Sequence, residues 1–166
     1  MTTPASPVRL PGFEYRRVDV EGVDFSGTGP VYAIGDGIVT SATGEAGGWP
    51  GGGWITYTLT SGLGQGLIVY VAEDITPAVQ VGQRVTPSTV LGYMFEGGSG
   101  IETGWAALNG LATSELTQAA ATGEYSFPTA AGLNFDELLV SLGVPPAPNR
   151  VQIGSGILSA SYPTSW

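Results

Sequence analysis

Short runs of β-branched and aromatic residues, separated by glycine-rich turns, dominate this sequence. The clearest run, Trp54–Thr60, alternates large apolar and polar side chains, which is the period of a strand with one buried face. Leu67–Val71 is an unbroken apolar run that suits a strand buried on both faces. The intervening Gly62–Gly66 predicts a hairpin connection, so this part of the chain is expected to form antiparallel strands.

The same pattern extends over most of the chain. Further strands are predicted from Phe13 to Val20 and at Val31–Ile34, Gly37–Ser41, Val79–Val85, Val90–Phe95, Ile101–Ala106 and Val151–Ser159. Many short strands with frequent glycine turns are typical of a β-sandwich or a β-barrel. The predicted fold class is therefore mainly β, with one or two short helices near the C-terminus.

Two segments have the composition of helices rather than strands. Thr113–Ala121 is rich in alanine, and Asn134–Leu142 carries an apolar stripe. We expect Asn134 to cap the second helix, with Glu137 three positions on completing a capping box. Gly143 is expected to end it.

The distribution of proline divides the chain into three parts. Residues 1–12 contain three prolines and predict an extended N-terminal arm. Residues 13–143 are expected to form the β domain with a helical cover, and residues 144–166 a proline-rich linker and C-terminal tail. Residues 107–166 could instead be a partner-binding attachment. The cover is favoured because the apolar stripe of the predicted helix needs a sheet face to pack on.

Three residue types that carry much of enzyme chemistry are absent. The chain has no histidine, no cysteine and no lysine, and its five basic residues are all arginine. Disulfides, thiol nucleophiles, histidine-based triads and Schiff-base chemistry are thereby excluded. A formal charge of −9 also argues against a nucleic-acid partner. The expected cofactor content is none, and what remains for catalysis is carboxylates, tyrosines and hydroxyls.

The location of the protein is predicted from its first residues and its composition. The N-terminus shows no basic region followed by an apolar one, so no signal peptide is expected, and no run is long enough to span a membrane. A lysine-free, glycine-rich composition is typical of GC-rich genomes. The composition therefore points to an actinobacterium or one of its phages. We expect a phage protein that is made in the host cytoplasm and located in the virion.

Five segments between Val20 and Trp105 resemble the lysostaphin-type zinc endopeptidases that cut peptidoglycan cross-bridges. Val20–Phe25 resembles the opening His-x-Gly-x-Asp-Phe motif, and Pro30–Val39 resembles Pro-Val-x-Ala-x-x-x-Gly-x-Val. Val69–Ala72 lies where that family has Tyr-x-His. Val79–Val85 matches its Val-x-x-Gly-x-x-Val turn, and Ile101–Trp105 lies where it has His-x-His-Phe. The resemblance covers roughly half of the chain and implies a barrel-sandwich hybrid of the lysostaphin type.

The same resemblance implies a degenerate metal site. Val20 stands at the position of the first zinc-binding histidine, and Asp24 matches its aspartate partner. Ala72, Glu102 and Gly104 occupy the remaining histidine positions. Since a catalytic zinc needs three protein ligands and an open position, the resemblance implies neither a bound metal nor a catalytic residue.

Three functions stay open at this point. The first is a non-enzymatic virion subunit, in a tail or capsid, that contacts other subunits through its terminal tails and forms a homo-oligomer. The second is a module that binds peptidoglycan or another glycan, and the third is a hydrolase with Asp24 and Glu102 as its pair. The candidate groove residues for the second function are aromatic: Trp49, Tyr70, Tyr93 and Trp105.

Overall fold

The computed structural model describes residues 1–8, 13–18, 22–107, 128–151 and 153–166. Within these ranges the chain forms ten strands and one α-helix, and a short 3-10 turn at Pro50–Gly52. In chain order the elements are β1 (Phe13–Val18), β2 (Val23–Gly27), β3 (Gly29–Tyr32), β4 (Gly37–Thr43), β5 (Gly53–Leu59), β6 (Ile68–Glu73), β7 (Ile75–Pro77), β8 (Arg84–Val85), β9 (Val90–Met94), β10 (Ile101–Ala106) and α1 (Ala130–Ser141).

The strands form two antiparallel sheets. The large sheet has seven strands in the order β1-β2-β10-β6-β5-β4-β8, and the small sheet has three in the order β3-β9-β7. β5 and β6 are neighbours joined through the glycine-rich segment 60–67, as the hairpin prediction requires. The predicted fold class, mainly β with two sheets and a C-terminal helix, is confirmed.

One face of the large sheet, called the inner face below, packs against the small sheet and α1. Alternate residues of each strand point to this face because successive side chains in a strand face opposite ways. The resulting core joins side chains of both sheets and the helix, and Trp105 of β10 and Phe135 of α1 meet edge-on within it. The centroids of these two rings are 5.0 Å apart.

Three strand predictions were wrong in their extent. Val31–Ile34 is a strand only over its first two residues, which end β3. Val79–Val85 is a strand only over Arg84–Val85, because Gly82 takes a positive φ of 85° and turns the chain before it. The described residues of Val151–Ser159 form no strand and contribute one bridge, from Ser155 to Thr129. β2 and β7 were not predicted as strands.

The prediction of the helix start was wrong by one turn. α1 begins at Ala130, and the hydroxyl oxygen of Thr129 accepts a hydrogen bond from the Gly132 N–H at 3.1 Å. Asn134 lies inside the helix, where its side-chain amide makes hydrogen bonds to residues outside the helix. The predicted end is correct, since Leu142 is the C-cap and Gly143 follows with a φ of 90°. The segment 113–121 lies outside the described residues.

No helix in the described ranges is long and apolar enough to cross a bilayer.

The C-terminal segment folds back onto the inner core. Trp166 stacks on Trp105 with a centroid distance of 5.5 Å, and Tyr162 contacts the same indole. The side chain of Asn134 accepts from the Trp105 indole N–H at 2.9 Å and donates to the Pro163 carbonyl at 2.7 Å. The predicted domain boundaries stay a prediction, but this segment belongs to the same packed unit as the sheet.

Candidate functional site

Three of the residues singled out by the zinc-peptidase resemblance, Asp24, Ala72 and Glu102, lie in one row across neighbouring strands of the large sheet. Asp24 on β2 is paired with Glu102 on β10, and Glu102 is paired with Ala72 on β6. Ala72 is paired in turn with Trp54 on β5. Residues paired in this way point to the same face, so the row lies on the outer face, opposite the core. Val20 lies outside the described residues.

A second row, one step further along the strands, contains Tyr70. This residue on β6 is paired with Gly104 on β10 and with Thr56 on β5. Because Gly104 has no side chain, no β10 side chain stands directly opposite the Tyr70 ring. The phenol hydroxyl donates a hydrogen bond to the Glu102 carboxylate, which lies diagonally across the strand pair. The register of two strands therefore sets this contact.

Three aromatic rings extend the same surface away from Glu102. Trp54 stacks on Tyr70 with a centroid distance of 5.2 Å and an interplanar angle of 18°. Trp49, from the glycine-rich loop before β5, stacks on Trp54 at 5.2 Å and 23°. We call Trp49, Trp54 and Tyr70 the aromatic cluster. Such offset stacking adds to the area that the rings bury, which gives the loop a fixed position on the sheet.

Both members of the Tyr70–Glu102 pair are buried. Tyr70 is 0% exposed and Glu102 5% exposed, whereas Trp49 at the end of the cluster is partly exposed. Gly22 lies against the phenol, since a Cβ atom at this position would stand 2.5 Å from the Tyr70 hydroxyl oxygen. A buried carboxylate is stabilised by donors from the protein, and here the phenol is one of them.

The metal-binding capacity of these residues is small. Asp24 and Glu102 offer carboxylates on neighbouring strands, but the chain has no histidine or cysteine to complete a tetrahedral zinc site. Within the described residues no group of three or more aspartate, glutamate, histidine or cysteine side chains is placed to hold a metal ion. The arrangement can accept hydrogen bonds and attract a cation, and its rings can stack on a flat apolar surface.

The remaining groove candidates lie in other places. Trp105 is 0% exposed and belongs to the inner core, on the face of the large sheet opposite the row. Tyr93 is 53% exposed on β9 of the small sheet. Of the four aromatic candidates, only Trp49 and Tyr70 lie together. Their predicted role in binding stays a prediction.

Two titratable groups outside the row have shifted pKa values. Hydrogen bonds from the Thr2 hydroxyl and amide lower the pKa of the Asp36 carboxyl below its ordinary value of 3.8. Burial raises the pKa of the Tyr57 phenol, although the Ile34 N–H donates to the phenol oxygen at 3.0 Å. Asp36 is thus ionised and Tyr57 neutral near pH 7.

An apolar cleft of about 180 Å³ was not predicted from the sequence. It lies between the N-terminal residues, the β5–β6 hairpin, the end of α1 and Trp166, and none of its lining side chains is charged. Leu63 at the hairpin tip, beside the cleft, is 76% exposed. An apolar leucine within a glycine-rich turn is the feature of the sequence that could have indicated an apolar surface here. The lining residues are Pro4, Ile34, Gly35, Leu59, Ser61, Gly62, Leu63, Gly64, Leu138, Ser141, Leu142 and Trp166.

Among the comparisons with known proteins, only the search of solved structures found similar proteins. No family model matches the chain, and no curated protein does. A structure described as an M23 peptidase from Pseudomonas aeruginosa is 21% identical, with a TM-score of 0.40; the similarity covers 63% of this chain and 48% of that one. The M23 metalloprotease pseudoalterin, from the deep sea, is 17% identical with a TM-score of 0.44, over 66% of this chain and 73% of that one. M23 peptidases are the lysostaphin-type family. The chain thus spans about half the length of the first of these proteins.

Proposed function

We propose that this chain is a catalytically inactive β module, with the strand motifs of a zinc peptidase, that serves a structural or assembly role. The observation that supports this most is the hydrogen bond from Tyr70 to Glu102. The resemblance puts one histidine of the His-x-His pair at position 102, and the glutamate found there accepts from a buried phenol instead. A carboxylate held in this way contributes to the packing of the sheet face rather than to an open metal site.

The aromatic cluster supports the same proposal. Trp54 is paired with Ala72, which stands at the histidine position of the Tyr-x-His motif, and the Trp54 ring stacks on Tyr70. Zinc catalysis requires room for a water molecule and substrate beside the metal. Here the corresponding strands carry stacked rings, and Trp49, from the loop before β5, lies at the end of this stack.

A peptidoglycan zymogram, run with and without added zinc, tests the proposal directly. We expect no clearing by the intact chain in either condition, with a histidine-containing lysostaphin-type enzyme on the same gel as the positive control. Clearing that is lost in Asp24→Ala and in Glu102→Gln would overturn the proposal and establish a carboxylate-based hydrolase. Thermal unfolding of both variants shows whether any loss of clearing reflects unfolding.

A glycan-binding module is the second candidate, and the partial exposure of Trp49 favours it. This ring continues a stack of aromatic side chains at the surface, and such rings pack on the flat apolar faces of sugars. A pull-down on purified peptidoglycan distinguishes the candidates. Under the structural proposal we expect no recovery, whereas recovery that Trp49→Ala abolishes and Trp49→Phe retains would establish the glycan-binding function.

We propose that the protein has this structural role in the tail or capsid of an actinobacterial phage. A lysine-free composition with 27 glycines supports this source, and the low charged fraction of 11% suits a subunit that others partly cover. The genes on either side of the coding sequence test this part. Tail or capsid genes would support it, and a cell-wall synthesis operon would contradict it.

A further inference from the structure

The outer edge of the small sheet is occupied by the first residues of the chain. β3 is the edge strand, with β9 on one side. On its other side the Tyr32 N–H donates to the Pro7 carbonyl at 2.7 Å, and the Ala5 N–H donates to the Ile34 carbonyl at 2.9 Å. This pairing is antiparallel. Residues 1–8, called the arm below, therefore lie beside the end of β3 and the two residues after it, joined to them by two backbone hydrogen bonds.

Further contacts hold the arm at both of its ends. The amide and the hydroxyl of Thr2 donate to the Asp36 carboxylate, the amide at 2.7 Å. Val8 is 3% exposed and belongs to the core. Between them Pro4 forms part of the wall of the apolar cleft. The hydrogen bonds of Thr2, Ala5 and Pro7 all join the arm to one short stretch of the body, residues 32–36.

A contact of this kind does not depend on which chain supplies the arm. An extended segment on a sheet edge is bound through backbone groups, and the same bonds form within one chain or between two. The edge of β3 also needs an occupant, because unpaired backbone groups at an edge invite pairing with other chains. Pro4 and Pro7 lack the N–H donor, so the arm pairs at few positions and does not extend into a longer strand.

The C-terminal segment differs from the arm in this respect. Its aromatic residues Tyr162 and Trp166 pack on Trp105, and Asn134 holds the Pro163 carbonyl. Removing it would open the inner core of the sheet. The arm contributes one core side chain, Val8; Pro7 is also buried, and residues 1–4 are exposed.

We propose that the β3 edge is an assembly surface, and that its occupant in the assembled state is the arm of a second copy of this chain. The inference rests on the assembly role proposed above and names the contact that carries it. Reciprocal exchange between two copies gives a closed dimer, and one-directional exchange gives an open chain of subunits. In both cases each copy keeps the hydrogen bonds at residues 32, 34 and 36 and rebuilds the Pro4 wall of the cleft.

Disulfide cross-linking between two copies tests the proposal. The chain has no cysteine of its own that would interfere. Ser6 lies between the two paired arm residues and faces Ala33, which lies between Tyr32 and Ile34. Facing residues that exchange no backbone hydrogen bonds lie about 4.5 Å apart at their Cα atoms, close enough for a disulfide. One preparation carries Ser6→Cys alone and a second carries Ala33→Cys alone. The two are mixed, concentrated and then oxidised.

We expect a disulfide-linked dimer in the mixture, in a fraction that rises with protein concentration and falls when the mixture is diluted before oxidation. Each single variant treated alone is the matched control and should give far less dimer. A double variant carrying both substitutions shows that the pair can be cross-linked. If the double variant closes within one chain and the mixture gives no dimer at any concentration, arm exchange is refuted.

Light scattering of the unmodified chain gives an independent measurement if either variant fails to fold. Over a roughly hundredfold range of concentration the average mass should rise from that of a monomer, as mass action requires. A monomer throughout would overturn the proposal. Peptidoglycan clearing in the zymogram would remove the inactive structural role and leave the cross-linking result intact, so the two proposals fail separately.

Discussion

The two faces of the seven-stranded sheet are both buried at its centre, but by different kinds of contact. On the inner face, apolar side chains of the strands pack against α1 and the small sheet, and Trp105 is the largest fully buried residue there. On the outer face, a buried carboxylate, a phenol and two indoles are joined by one hydrogen bond and a stack of rings. β10 contributes to both faces.

The inner face is thus stabilised mainly by the packing of apolar side chains, and the outer face by a hydrogen bond between two particular polar groups. The inner face depends on volume, because closely packed cores lose stability when a cavity is made. The outer face depends on the identity of Tyr70 and Glu102, since a buried carboxylate needs its donors. We therefore expect Tyr70 and Glu102 to contribute to the stability of the sheet.

The largest loss of stability is expected from a substitution on the inner face. Trp105→Ala removes a fully buried indole that contacts Phe135, Tyr162 and Trp166. It should lower the free energy of unfolding by about 3–5 kcal/mol, as large-to-small core substitutions do. Urea unfolding followed by circular dichroism measures this. Tyr93→Ala, at a residue that is 53% exposed, is the control and should stay within about 0.5 kcal/mol of the wild type.

On the outer face, Tyr70→Phe keeps the ring and removes only the hydroxyl that donates to Glu102. Because this substitution removes a donor from a buried acceptor, the loss should be about 1–3 kcal/mol in the same unfolding measurement. Combining it with Glu102→Leu, which removes the acceptor, in a double-mutant cycle isolates the interaction between the two side chains. Additive losses would show that the outer face does not depend on this pair, and the contrast between the faces would then fail.

A smaller loss of stability is expected from substitution of Trp49, at the partly exposed end of the aromatic cluster. Trp49→Ala removes one stacked ring from a partly exposed position, and should cost about 0.5–1.5 kcal/mol beyond the area lost. Trp49→Phe keeps a ring that can stack and should recover most of the loss. If both variants match the wild type in urea unfolding, Trp49 contributes nothing to the stability of the outer face.

The smallest effect concerns the arm, which belongs to neither face. The pKa of Asp36 is lowered by its bonds to Thr2, so the stabilisation is fully present above the ordinary value of 3.8 and is lost as the pH falls through the lower folded value. The amide resonance of Thr2 should therefore shift below pH 3.8, while the Trp105 indole resonance stays constant. Asp36→Asn should abolish the shift. A simultaneous shift of both resonances would mean that acid acts on the core.

Much of the secondary structure could be predicted because its signals are local. Ile101–Ala106 is a strand over its whole predicted length, and the alternation of Trp54–Thr60 corresponds to β5 within one residue at each end. Helix capping was harder to predict. Both Thr129 and Asn134 are good capping residues by type, and Asn134 is held inside the helix by Trp105 and Pro163, which lie far away in the sequence.

The β class, the glycine turn at Gly143 and the lack of histidine can all be read from the amino-acid sequence, because each depends on neighbouring residues alone or on composition. The contact of Tyr70 with Glu102, the burial of Trp105 in the core and the position of the arm beside residues 32–36 became visible only in the folded chain. These contacts join residues distant in the chain. The register and order of paired strands set them, and no local pattern encodes which strands become neighbours.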